Sequence, residues 1–460
     1  MTATVKDRVP VDPKRDAEFD RAFERLRELV DWSAVDRQFP VRENAVYTTS
    51  VVLWMLVFQR MNPEASLEAA VKNLIESQPD FLPRHKRVVE NTLSVRTGSY
   101  SRARSRLPRA GARWFAQHVS QSLIDASAPS FQGRRVFLVD GTTITLAPEA
   151  ALRREFPPAS NQHGVGVWPV ALLVVAHELS SGAALLPAVG AMYGACAVSE
   201  TALARDLFVQ MPPDGIVLAD AGFGIFAVGW DAQQVGRDFV LRMTEQRFAA
   251  LRRKATVVER GAHSITYSLS WHPSAKERRT HPELPPDAVL AVRLHEIRLH
   301  ESLTLFLVTS LPHSAALLSD LYRCRTDIEI DIRNLKVVLN TENIRARSVE
   351  MFHKELLTSL VAYNLVTQFR RQAAELIQEP PRRLSFKRTW TTFRVFLWSS
   401  LHTETPRWCD QYRRALAYAT QDKLPHRPGR SFDREVYARR HKSAQFKKRQ
   451  PENTTPKPDS

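Results

Sequence analysis

Cysteine is scarce in this chain of 460 residues. There are three, Cys196, Cys324 and Cys409, and none forms a CxxC pair. That excludes a disulfide framework or a paired-cysteine zinc site and fits a reducing compartment. Long apolar runs are missing as well. The longest, residues 51–58 and 165–176, fall short of the ~20 residues that cross a bilayer, and Pro169 interrupts the second. The opening stretch MTATVKDRVPVDPKRD lacks the apolar core of a signal peptide, so a cytoplasmic protein is expected. No internal repeat is visible. Acidic residues are also in deficit: 49 Asp and Glu stand against 65 Lys and Arg, a net charge of +16.

That excess of positive charge suits a polyanion, because each phosphate contact releases condensed counterions. Nucleic acid is the first candidate, a membrane surface the second, and a basic but unspecialised soluble protein the plain alternative. Hydrophobic residues make up 43% of the chain, enough for a folded core. At roughly 100–200 residues per domain the length predicts two to four domains.

Residues 1–130 read as a helical domain. Residues 51–58 are apolar all round, and Ala69, Val71, Leu74 and Ile75 recur at helical spacing. Residues 94–109 then carry Arg96, Arg102, Arg104, Arg106 and Arg109 among small residues. Such a stretch suits a phosphate backbone, or equally a solvated basic helix start. From residue 131 strands and helices alternate. Residues 136–139, 167–176, 183–189, 216–219 and 239–243 read as strands, and 199–209 as a helix, which together predict an α/β core over 131–249. Between 250 and 312 the pattern is β-rich, with Ile265, Tyr267, Leu269 and Trp271 in strict alternation with serine and threonine. Helices return over 313–423. Residues 424–460 form a basic, polar tail expected to be disordered.

Two aspartates share one setting. Asp140 ends an apolar run in FLVDGTT and Asp220 ends another in VLADAGF. Carboxylates at the ends of neighbouring strands can share a hard divalent cation, although Asp-Gly is also ordinary turn chemistry. Residues 321–340 are more distinctive. Tyr322, Arg325, Glu329 and Lys336 follow at intervals of three, four and seven, which predicts one helical face, with Ile328, Ile332 and Leu335 on the buried side. On a generic helix these would be ordinary surface ion pairs. Asp327 and Asp331 point away from that face. Gly222-Phe223-Gly224 lacks the spacing and lysine of a phosphate loop, and His295, Glu296 and His300 read as surface strand residues.

The helix resembles the Y-x2-R-x3-E-x6-K signature of transposases in the insertion-sequence-four family. DGTTITL and VLADAGF resemble that family's two aspartate segments, LVTSLP its last insertion strand, and YSRARSRLP its N-terminal region. The resemblance spans most of residues 90–370. It implies an RNase H-like core interrupted by a β-rich insertion and preceded by a helical DNA-binding domain. It implies that Asp140, Asp220 and Glu329 are a catalytic triad holding Mg²⁺ or Mn²⁺, two ions in all. Tyr322, Arg325 and Lys336 are implied to grip transposon-end phosphates, with Arg102, Arg104 and Arg106 as further DNA contacts. Trp271 is the candidate for stacking on a flipped base, although a core tryptophan is the favoured reading there. The implied partners are double-stranded DNA, as terminal repeats and target, and a second copy of the chain on paired ends, in a bacterial nucleoid. Two positions depart from the family: Ala221 stands where arginine usually follows the second aspartate, and Thr326 where an aromatic often follows the signature arginine. A degenerate DNA-binding descendant and a stand-alone nuclease of the same fold are the rival readings.

Overall fold

The computed structural model describes residues 31–62, 64–77, 82–162, 164–338, 340–341, 344–400 and 405–425. Residues 1–30 and nearly all of the expected basic tail lie outside the described residues. The first part is helical: α1 (Trp32–Gln38), α2 (Thr49–Met61), α3 (Leu67–Ser77), the short α4 (Lys86–Val89), α5 (Gly98–Arg106) and α6 (Arg109–Asp125). The apolar run of residues 51–58 sits inside α2, buried almost throughout because it has no polar face to offer water. Thr48 caps that helix, its hydroxyl accepting from the Val51 N–H.

The sheet begins with β1 (Val136–Thr145). After α7 (Ala150–Glu155), the hairpin β2 (Ser160–Asn161) and β3 (Gly164–Val165) leads to β4 (Val170–Glu178) and β5 (Ala188–Ala191). Then come α8 (Glu200–Phe208), β6 (Ile216–Ala219), α9 (Phe226–Gln234), β7 (Asp238–Arg242) and α10 (Glu245–Arg252). Residues 250–312 add β8 (Thr256–Arg260), β9 (Ser264–Trp271), β10 (Leu290–His300) and β11 (Leu303–Thr309), with one short helix, α11 (Ala275–Thr280), between them. Among the described residues β2 and β3 pair only with each other, and the other nine strands form one mixed sheet in the order β5-β4-β1-β6-β7-β11-β10-β9-β8. β4 and β5 run antiparallel beside β1, while β6 and β7 run parallel to it. The strands of residues 250–312 continue the same sheet, because β11 pairs with β7.

Two expectations change here. Asp140 does not end its strand. β1 continues through Gly141 to Thr145, because β4 pairs with it along this whole length, Asp140 opposite Val175 and Thr145 opposite Val170. Nor is residues 321–340 one regular helix. α12 (Ala315–Arg323) tightens into a 3₁₀ turn at Cys324–Thr326, resumes as α13 (Asp327–Arg333) and widens into a π-helical segment at Asn334–Val338. The tight turn falls where Arg325 reaches across to β1. Irregular helical turns of this kind gather at functional sites.

The C-terminal helices are α14 (Val349–Glu375), α15 (Phe386–Ser400) and α16 (Thr405–Ala419). α14 is buried along almost its whole length and packs on α2 and α6, so the N-terminal helices and the sheet share one core. Two of its polar side chains bind neighbouring segments directly. Asn364 accepts from the Ala184 N–H at 2.9 Å and donates to the Ala184 carbonyl at 3.0 Å. The Lys354 ammonium donates to the Ser105 carbonyl at 3.1 Å. Among the described residues no helix is long and apolar enough to cross a membrane.

Candidate active site

Side chains of a strand alternate between faces. Val136 and Leu138 of β1, with Ile216 and Leu218 of β6, pack in one cluster with Leu318 and Leu321 of α12 and Ile328 of α13. Phe137, Val139, Val217 and Ala219 pack in another, with Leu203 and Leu207 of α8. Asp140 and Asp220 keep the phase of Leu138 and Leu218, and so open toward α13. That helix carries Glu329. Apolar patterning on three elements thus delivers three carboxylates to one place.

Arg325 stands between them. Its guanidinium lies 2.8 Å from Asp140 Oδ2, 3.5 Å from Asp220 Oδ2 and 3.2 Å from Glu329 Oε1. The Arg325 side chain is 14% exposed, against 20%, 37% and 54% for those three, so the cation is seated deeper than the anions around it. Asp140 also accepts the Gly141 N–H at 2.9 Å, and Asp220 accepts the Gly222 N–H at 2.8 Å. Burial pushes the Asp140 carboxyl above its ordinary range. Arg325 and the Gly141 N–H pull it down, and the charges of Asp220 and Glu329 push it up again.

The other expected residues divide. Tyr322 lies beside Asp220, Arg242 and Arg325, and burial pushes its hydroxyl up to about 12, which keeps it a neutral donor at physiological pH. Lys336 lies along β1 beyond Asp140, its ammonium donating to the Thr143 carbonyl at 3.0 Å and to Thr142 Oγ1 at 3.3 Å. Arg102 and Arg106 are exposed on α5. Arg104 turns inward, 3.7 Å from the buried carboxylate of Glu355 on α14. Trp271 is 3% exposed and meets Phe226 edge-on at 5.4 Å, so it is a core side chain.

Three polar residues near the triad were not singled out from sequence. Arg242, at the end of β7, approaches Tyr322. Arg247 of α10 donates to the Ala221 carbonyl at 2.8 Å, bringing a guanidinium to the loop after Asp220, where the sequence itself has alanine. Glu200, the first residue of α8, lies against Gly141, and its carboxyl is raised by burial, then by the charges of Asp140 and Asp220. Only Gly141 could have signalled Glu200, since glycine within a strand often marks a close approach.

Behind the triad, α13 is anchored by charge. Asp331 is fully buried and accepts from Arg382 at 2.6 Å, with His177 Nδ1 at 4.0 Å. Arg382 also lies 3.7 Å from Asp327 and donates to the Leu179 carbonyl. The side of α13 away from Glu329 is therefore tied to the sheet.

The donors suit a hard divalent cation, since every anionic group is a carboxylate oxygen and all three already converge on one positive charge. Among the described residues no three acidic, histidine or cysteine side chains are gathered closely enough to enclose an ion, and at these three carboxylates the Arg325 guanidinium stands between them.

An α/β protein with one carboxylate in a strand, a second just after the parallel strand beside it and a third on a facing helix defines the class. The family described as a transposase DDE domain matches residues 131–365, just over half of the chain, and the chain belongs to that family. No curated protein matches it. Among solved structures it is similar to a piggyBac transposase in a synaptic complex with hairpin DNA, at 11% identity and a TM-score of 0.41, covering 91% of this chain and 87% of that one. That likeness is too remote to bear on the site.

Proposed function

We propose that this protein is a metal-dependent DNA transposase of the insertion-sequence-four type, with Asp140, Asp220 and Glu329 as its catalytic triad. It cuts transposon ends and joins them to target DNA, acting as a dimer on paired ends. The observation that carries the reading is the convergence of these three carboxylates on Arg325, within a chain of the transposase DDE domain family. The strand order supports an RNase H-like core: three antiparallel strands, β5, β4 and β1, followed by parallel β6 and β7. Residues 250–312 are read as its insertion and residues 1–130 as the DNA-binding domain.

The three carboxylates would hold Mg²⁺ or Mn²⁺. When bound, such ions activate the attacking water or 3′-hydroxyl and stabilise the entering and leaving oxygens of an in-line displacement at phosphorus. The chain's own groups do the rest. Arg325 relieves the mutual repulsion of the triad in the DNA-free protein, and its planar fork suits a phosphate. Tyr322 keeps its proton and has it to offer to a phosphate oxygen. Arg242 and Arg247 add positive charge along the approach.

Arg325 and the cation compete for the same carboxylates. Arg325→Ala is therefore expected to tighten Mn²⁺ binding by DNA-free protein roughly ten- to a hundredfold, about 1.4–2.8 kcal/mol. It is expected at the same time to slow end cleavage. A titration of free Mn²⁺ by electron paramagnetic resonance reads the first effect, and unchanged or weaker binding would contradict the competition.

The functional test uses a supercoiled plasmid carrying the element's own ends, with Mg²⁺, Mn²⁺ or EDTA, for the wild type and Glu329→Gln. Metal-dependent nicking at the ends followed by strand joining, lost in the variant, is expected. End binding without cutting would make the protein a degenerate DNA-binding descendant. Cutting that ignores the ends and never joins strands would make it a plain nuclease.

A further inference from the structure

Gly141 poses a problem that the triad does not solve. It lies inside β1, paired opposite Val174, with no turn to require it. Glycine weakens a strand interior unless something must approach the backbone closely. Here something does: a methyl group at position 141 would overlap the carboxylate of Glu200. Glu200 is delivered by α8, whose start is fixed by Ser199, its hydroxyl accepting from the Ala202 N–H at 3.1 Å. α8 packs on β4, β5 and β1 through Leu203, Ala204 and Leu207.

The strand pairing explains how Glu200 meets the triad from the far face of the sheet. β6 pairs with β1 only from Val136 to Val139. From Asp140 onward that side of β1 has no neighbouring strand among the described residues, and Gly141 places no side chain on the α8 face. The Glu200 carboxylate lies where a side chain at position 141 would stand, on the α8 face and one residue along β1 from Asp140.

We propose that Glu200 is a fourth carboxylate of the divalent-cation site, reaching it beside Asp140 through the gap left by Gly141. This rests on the metal-dependent reading of the triad. Asp140, Asp220 and Glu329 open from the α13 face, where Arg325 shields them. Glu200 comes from the α8 face and makes no ion pair with Arg325. It supplies negative charge beside Asp140 from the α8 face, so a cation there would have oxygen donors from both faces of the sheet.

The test is a Mn²⁺ titration of the full chain without DNA, with free ion read by electron paramagnetic resonance. End nicking in Mg²⁺ and end binding by gel shift are measured on the same preparations. Glu200→Gln is expected to weaken Mn²⁺ binding about 10- to 100-fold, to slow nicking and to leave end binding unchanged. Glu200→Asp keeps the charge but shortens the reach, and is expected to stay weak. Full recovery by aspartate would reduce Glu200 to a distant charge and overturn the proposal. Gly141→Ala is expected to repeat the Glu200→Gln loss by displacing the carboxylate. If Glu200→Gln binds Mn²⁺ like the wild type while Glu329→Gln does not, the fourth carboxylate is overturned and the triad stands. If the wild type takes up no Mn²⁺ with or without end DNA, the metal-dependent reading fails and this inference fails with it.

Discussion

Asp140→Asn is expected to abolish end cleavage while leaving end binding intact. The substitution keeps the shape of the side chain and removes its charge. Asp140 is the member of the triad most enclosed by protein, and it makes the shortest of the three ion pairs with Arg325. Little water is on hand to replace its charge, and low-dielectric surroundings enlarge what is lost. A loss of about three to five orders of magnitude in the nicking rate is expected, corresponding to ~4–7 kcal/mol of barrier. Single-turnover nicking of an end-bearing plasmid measures the rate, and a gel shift on the same DNA measures binding. A variant retaining a tenth of the wild-type rate would remove Asp140 from the triad.

The largest effect on stability is expected at Arg382. Arg382→Ala leaves the Asp331 carboxylate fully buried with its principal partner gone and takes the nearest cation from Asp327. Breaking a buried pair from one side costs roughly 3–5 kcal/mol, whereas replacing both partners by apolar groups costs far less. Arg382→Ala is therefore expected to lower the urea midpoint sharply, and the double variant Arg382→Leu, Asp331→Leu to recover much of it. Equal midpoints for Arg382→Ala and wild type would show that the anchor contributes nothing. Acid should reveal the same network. Burial raises the Asp331 carboxyl, but Arg382, His177 and Arg370 outweigh it, and the net shift is downward. Its contribution is present above the unfolded aspartate value and lost as pH falls through the lowered folded value. His177 is also lowered, chiefly by burial, with Arg382 and Arg370 adding to it and Asp331 opposing it. The unfolded chain binds that proton first, so stability already declines as pH drops below about 6.5. Denaturation midpoints between pH 8 and pH 4 follow both effects.

Much of the site was legible because strand and helix periods are local properties. The runs before Asp140 and Asp220 are apolar and short, and they fold as the parallel strands β1 and β6. Tyr322, Arg325, Glu329 and Lys336 were visible as a set from their spacing. What that spacing did not disclose is the break in the helix. The 3₁₀ turn and the π-helical segment accompany contacts of Arg325 and Lys336 with β1, more than 180 residues earlier in the chain. The Asp-Gly pair read as a possible turn, and only the pairing of β1 with β4 makes it a strand interior. Arg104 and Arg106 look alike in sequence. Glu355 on a distant helix separates them, drawing Arg104 inward and leaving Arg106 in water. Trp271 alternates as a half-buried strand requires and is buried with its apolar row, but its edge-on partner Phe226 of α9 is not visible from that alternation.

α14 carries a consequence for where DNA would be cut. It is a single rod of 27 residues, about 40 Å long at ~1.5 Å per residue. Near its start it is fastened to α5 through Lys354 and Glu355, and further along to the β4–β5 connection through Asn364. A duplex held against the arginines of α5 would be gauged by this rod as by a fixed ruler. The scissile bond would then fall at a constant offset from the bases that are gripped, and lengthening a surface loop would leave the cut where it is.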